Sequence, residues 1–187
     1  MDRPAIRSAL EQLHAESFGW ALGCCGQDPS VAEEVLQAAY LKVLEGRARY
    51  AGRSSFKTWF FAVIRNTAAD ARRRQARRRL VAWPKEAEPE APVVPLDVAL
   101  HRREREARFR DLLARLPDRQ REVLYLVFYH EMSLREAAQV MGVSLGSART
   151  HYARGKTRLR QWLEATGDEG TAGRSAQGAL SRTQTGR

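Results

Sequence analysis

Residues 133–163, SLREAAQVMGVSLGSARTHYARGKTRLRQWL, decide how this chain reads. Ser133 followed three residues later by Glu136 is a capping box, in which hydroxyl and carboxylate satisfy each other's orphan backbone donors and start a helix. Leu134, Ala137, Ala138 and Met141 recur at helical spacing, and Gly142 supplies a left-handed stop. Val143 falls in the turn, Ser144 caps again, and a second helix is expected from about Leu145 to Leu163. That helix carries Arg149, Arg154, Lys156, Arg158 and Arg160, with no acidic residue between Ala137 and Leu163. The small residues Gly146, Ser147, Ala148 and Thr150 open it, where bulk would hold it away from a groove. A short capped helix, a glycine turn and a basic second helix make a helix-turn-helix that enters a major groove. An ordinary helical hairpin with a solvated basic face is the bland alternative. The one-signed charge, concentrated on a single element, weighs against it.

The rest of the chain is consistent with a polyanionic partner. It has 187 residues, 32 of them basic, and a net charge of +10. That length holds one domain or two small ones. Basic composition alone also suits a ribosomal or a membrane-surface protein. The N-terminal MDRPAIRSALEQLHAES lacks the apolar core of a signal peptide, and no apolar run approaches a membrane span, so a cytoplasmic protein without membrane insertion is expected. Cys24 and Cys25 are adjacent and cannot provide the paired spacing of a zinc site; they read as small residues near a helix end. His14, His101, His130 and His151 show no metal-ligand spacing, and no catalytic constellation, metal or cofactor is expected.

Charge and proline divide the remainder. Residues 1–45 hold seven acidic and three basic residues, a net −4, whereas 46–83 hold eleven basic residues and only Asp70, a net +10. One small domain with an acidic and a basic face suggests two different partners. An N-terminal helix is expected over roughly 4–23, and Asp28-Pro29 starts another, as an N-cap acceptor followed by proline at the first helical position. Val31, Val35, Leu36, Ala39, Val43 and Leu44 form its apolar stripe down to Gly46. After a loop over 47–55 containing Gly52, a third helix places Trp59, Phe60, Val63, Ile64, Thr67, Ala68 and Ala71 on one face and runs into RRRQARRR at 72–79. Pro84, Pro89, Pro92 and Pro95 mark an extended linker over 81–100. A second domain is expected over 101–165, where a charged helix breaks at Leu116-Pro117 and Asp118 begins a helix containing Val123, Leu124, Leu126, Val127 and Phe128. Residues 166–187 read as a disordered tail. The fold class is all-α: two small helical domains joined by a proline-rich linker, the second containing the helix-turn-helix.

An acidic-faced helix, an aromatic helix with a basic end, and a helix-turn-helix beyond a flexible linker now stand in order. This arrangement resembles a bacterial sigma factor of the extracytoplasmic-function (ECF) subfamily, the smallest kind, with only the second and fourth conserved regions. DPSVAEEVLQAAYLKVLEG looks like the family's core-polymerase-binding helix, and AGRSSFKTWFFAVIRNTAADARRR like its promoter-melting segment. LPDRQREVLYLVFYHEMSLREAAQVMGVSLGSARTHYARGKTRLRQWL looks like its fourth region almost end to end. The resemblance covers roughly 5–80 and 105–163, with 1–80 the region 2-like domain.

The resemblance implies partners and site residues. Core RNA polymerase would be held through its β′ and β subunits, with Asp28, Glu33, Glu34, Gln37 and Lys42 toward the clamp coiled coil of β′. Without the resemblance these residues read as a plain solvated face. Ala38-Ala39-Tyr40 departs from the more polar Glu-Thr-Phe-like stretch usual in the family. Gly52, Arg53, Ser54, Ser55 and Asn66 would line a pocket for a flipped base of the minus-ten element, with Phe61 as aromatic surface and Arg65, Arg73 and Arg74 on phosphate. Trp59 and Phe60 read as core, and Tyr50 and Phe61 are less decided. Ser147, Arg149, Thr150, Ala153 and Arg154 would face the minus-thirty-five element, with Lys156 and Arg158 on phosphates. Tyr152 and Leu159 face the core, and His151 stands where the family commonly has Arg or Lys. A cognate anti-sigma factor is implied too. Three rivals fit less: an operator-binding regulator leaves the first two helices without a task, a DNA-processing enzyme needs clustered carboxylates or a nucleophile, and an RNA-binding protein needs an aromatic sheet or glycine motif.

Overall fold

The computed structural model of the chain describes residues 2–81 and 112–165, and all regular structure among them is helical. The chain divides into two compact units, within Met1–Asp111 and within Leu112–Arg187. The proline-rich 81–100 segment beyond Val81, the charged stretch from His101 and the 166–187 tail lie outside the described residues. Among those described, no helix is long and apolar enough to cross a membrane, and no group of side chains could hold a metal ion.

The first unit packs four helices: α1 (Arg3–Gln12), α2 (His14–Cys24), α3 (Pro29–Leu44) and α4 (Phe56–Val81). The single N-terminal helix expected over 4–23 is instead two, because Leu13 leaves the helical region at ψ 1°. No glycine or proline marks that break. Tertiary packing makes it, and α1 thereby reaches both α2 and α3. Asp28 caps α3 by accepting from the Val31 N–H at 3.1 Å, as the Asp-Pro pair implies. Cys24 ends α2 and Cys25 caps it. Ala32, Val35, Leu36, Ala39 and Val43 are the buried face of α3. On α4 the buried face is Phe60, Phe61, Ile64, Thr67 and Ala68, with Trp59 and Val63 at its half-buried edge. The stripe is therefore rotated toward Phe61 relative to the sequence expectation.

The second unit holds α5 (Asp118–Phe128), α6 (Leu134–Met141) and α7 (Leu145–Ala165), preceded by a helical turn at 112–114. Val123, Leu124 and Leu126 of α5 meet Ala137, Val140 and Met141 of α6 and Ala148 and Leu159 of α7 in one core. The capping box forms in full: the Ser133 Oγ accepts from the Glu136 N–H at 3.3 Å and a Glu136 carboxylate oxygen accepts from the Ser133 N–H at 2.9 Å. Gly142 terminates α6 at φ +63°, where a side chain would be strained. Ser144 caps α7 by accepting from the Ser147 N–H at 3.0 Å. Two arginines of α5 hold neighbouring helix ends, Arg119 donating to the Met141 carbonyl and Arg121 to those of Ala114 and Leu116.

Replacing Ser133 by Ala removes the cap while touching no buried atom. It should lower the stability of the second unit by about 1 kcal/mol, read from chemical denaturation of the full chain.

Candidate nucleic-acid interface

In the first unit the candidate DNA-facing residues lie on α4 and on the loop that feeds it, and Asn66 and Arg73 share a face. The loop turns at Gly52, φ +71°, and is fastened by the Tyr50 hydroxyl donating to the Ser54 carbonyl. Ser55 begins α4, its Oγ accepting from the Thr58 N–H at 3.1 Å, so this hydroxyl serves as the helix cap. Gly52, Arg53 and Ser55 are exposed and Ser54 half-buried. Tyr50, Phe56 and Trp59 form a half-buried aromatic cluster behind the loop, with centroids 5.2–5.4 Å apart. Asn66 is exposed one helical repeat beyond Trp59, and Arg73, a further repeat on, lies on the same face. Arg72 and Arg74 are exposed, and Arg65 is half-buried.

Phe61 does not belong to this surface. It is 0% exposed, its ring stacks on Trp20 at 5.9 Å, and its carbonyl accepts the Trp20 indole N–H at 3.0 Å. A base cannot stack on a ring already enclosed by the core, so the expectation that Phe61 provides aromatic surface to DNA is corrected.

Four of the five candidate polymerase contacts, Asp28, Glu33, Glu34 and Gln37, are exposed. Lys42 behaves differently. Its ammonium donates to the Thr67 Oγ1 at 3.1 Å and to an Asp70 carboxylate oxygen at 3.3 Å, tying α3 to α4. The other Asp70 oxygen accepts from Arg73 at 2.6 Å. Arg73, and less strongly Lys42, hold the Asp70 carboxyl below the usual carboxylate range, against a burial effect that raises it. These pairs stabilise the fold above the ordinary carboxylate pKa and lose that contribution as pH falls through the lowered folded value, a small effect for side chains this exposed. Leu41 adds a large exposed apolar side chain to α3, 52% accessible.

In the second unit α7 presents Ser147, Arg149, Thr150, Ala153 and Arg154 to solvent, as the helix-turn-helix reading requires. The Thr150 hydroxyl donates to the Gly146 carbonyl at 3.0 Å, and the residue is exposed. Lys156 is half-buried and Arg158 donates to the Gln120 Oε1 at 3.4 Å, so Arg158 partly braces α7 on α5. Leu159 is buried and Tyr152 half-buried, its hydroxyl pKa raised by that burial.

Sequence reasoning gave no role to two positions. Asp70 is the only acid in a strongly basic segment, and that isolation is the signal that could have found it. Gly155 lies mid-helix, where glycine costs about 1 kcal/mol relative to Ala. A Cβ there would meet the Leu124 Cδ1 at 2.8 Å and the Gln120 Cβ at 3.2 Å, so glycine lets α7 seat closely on α5.

Comparison with known proteins places this geometry. The sigma-70 region 2 family matches residues 10–78, and the sigma-70 region 4 family matches residues 106–159. The RNA polymerase sigma factor CarQ of Myxococcus xanthus is 31% identical over 170 residues, covering 86% of this chain and 92% of CarQ. The ECF RNA polymerase sigma factor SigX of Bacillus subtilis is 28% identical over 76% of each chain. Among solved structures, the sigma factor RpoE of Bartonella quintana, in complex with the anti-sigma factor NepR, superposes with a TM-score of 0.66 at 21% identity, covering 84% of this chain and 96% of that one. That likeness is one of fold.

Core and surface on α4 separate by mutation. Phe61→Ala should destabilise the chain by about 3–5 kcal/mol. Asn66→Ala should stay within about 0.5 kcal/mol, both read from urea denaturation.

Proposed function

The chain belongs to the extracytoplasmic-function (ECF) subfamily of RNA polymerase sigma factors, and from that membership we propose a division of labour between its two units. The factor joins core RNA polymerase through the β′ and β subunits and directs it to a subset of promoters. In the first unit, Asp28, Glu33, Glu34 and Gln37 on α3 dock on the clamp coiled coil of β′, while Lys42 holds α3 to α4. The loop Gly52–Ser55 and Asn66 receive a flipped base of the minus-ten element, and Arg65, Arg73 and Arg74 grip phosphate. In the second unit, Ser147, Arg149, Thr150, Ala153 and Arg154 read the minus-thirty-five duplex, with Lys156 and Arg158 on its backbone.

One observation carries this reading. Asn66, with both donor and acceptor for a base edge, shares an outward face of α4 with Arg73 inside the part of the chain that matches sigma region 2. The factor performs no bond chemistry: captured single-stranded bases supply the free energy for strand separation. It acts in the cytoplasm, with its polymerase. The complex of its structural relative with NepR supports an anti-sigma factor as a further partner.

Run-off transcription with purified core polymerase over a promoter library tests this, and transcripts should depend on the factor. Intact duplex binding without any association with core polymerase would instead make it an operator-binding regulator. Asn66→Ala should impair open-complex formation and spare duplex binding by the second unit. Arg149→Ala should weaken duplex discrimination by the equivalent of about 1–3 kcal/mol at a guanine contact and spare melting of a preloaded complex. Equal losses in both assays for both variants would contradict the division.

A further inference from the structure

Asp70 is an anomaly of charge. Residues 46–83 carry eleven cations and this single carboxylate, which stands on the face of α4 that presents Asn66 and Arg73. An acid within a surface that meets a polyanion weakens binding unless it is already committed. Both of its oxygens are committed. One takes the Lys42 ammonium at 3.3 Å, and that ammonium is itself oriented by the Thr67 Oγ1 at 3.1 Å. Thr67 is buried and its hydroxyl donates to the Val63 carbonyl at 2.8 Å, so a lone pair faces Lys42. The carboxylate is thereby braced from a second helix as well as from its own. The other oxygen accepts from the Arg73 guanidinium at 2.6 Å, and Arg73 remains 67% exposed. Arg73 is thus reachable by an incoming phosphate but already paired with an anion held in place.

We infer that Asp70 is a positioning residue that acts through Arg73, a built-in stand-in for a DNA phosphate that the promoter backbone must displace. The inference rests on the reading of α4 as a DNA contact. Arg73 adds little net affinity in the native chain, since it exchanges one anion for another. Sequence-independent affinity for DNA backbone is held down, and base contacts such as that of Asn66 carry a larger share of binding.

The test is a two-residue cycle on the full chain, with a short labelled DNA single strand of random sequence as probe. Asp70→Asn should tighten binding about two- to five-fold, the range expected when a weak exposed ion pair no longer has to be broken. It should also steepen the dependence of log affinity on log salt, by at most about 0.7, since Arg73 then meets phosphate in a larger share of the complexes. Both gains should vanish when Arg73→Ala is added. A gain of the same size in the Arg73→Ala background would show a general field effect and overturn the inference, as would no gain at all. Arg73→Ala alone should cost less affinity than Arg74→Ala, a comparison that needs no change at Asp70; a larger cost would also overturn it. If the unaltered chain and its complex with core polymerase both fail to bind the strand, the DNA reading of α4 falls and the inference falls with it.

Discussion

The burial of one face of α4 is the constraint on which the first unit depends. Phe60, Phe61 and Ile64 are all but fully enclosed against α2 and α3, each worth about 1.5–3 kcal/mol when removed from water. The Trp20 indole fixes the rotation further by donating to the Phe61 carbonyl. A 26-residue helix can turn only as a whole. Once these side chains face inward, Asn66 and the arginines of 72–74 have no direction left but outward. The apolar stripe thus aims the polar one. The same logic holds in the second unit, where Ala148, Gly155 and Leu159 seat α7 and leave Arg149 and Arg154 on the far side.

Features written in local chemistry were legible in the sequence. The Ser133–Glu136 box, the Gly142 stop and the Asp28-Pro29 start each depend on residues within a single turn, and each forms as read. The two-domain, all-helical character followed from periodicity for the same reason. What escaped depended on partners distant in sequence. Phe61 borders the apolar stripe and could face either way by pattern alone; only Trp20, 41 residues upstream, decides it. Lys42 reads as one more exposed charge until Thr67 and Asp70 are brought beside it. The bend at Leu13 has no local marker, because its cause is the packing of α1 on two other helices. Glycine at 155 looks like a defect in a helix until the close approach of α5 explains it.

The family membership and the geometry support each other unequally across the chain. A helix-turn-helix with a basic second helix occurs in many DNA readers, so the second unit is the less specific half. The first unit, which matches sigma-70 region 2, narrows the reading to a factor that engages polymerase and promoter together.

The end of α2 has a consequence of another kind. Burial pushes the Cys25 thiol up to about 11, beside the buried Cys24. At neutral pH the thiol then far outweighs the thiolate, the form that alkylating reagents attack. Modification of Cys25 should therefore be slow because its thiol stays protonated, whereas the buried Cys24 is reached through transient openings of the helix end. With no other cysteines in the chain, labelling of Cys24 becomes a clock for local breathing beside the N-cap of α3.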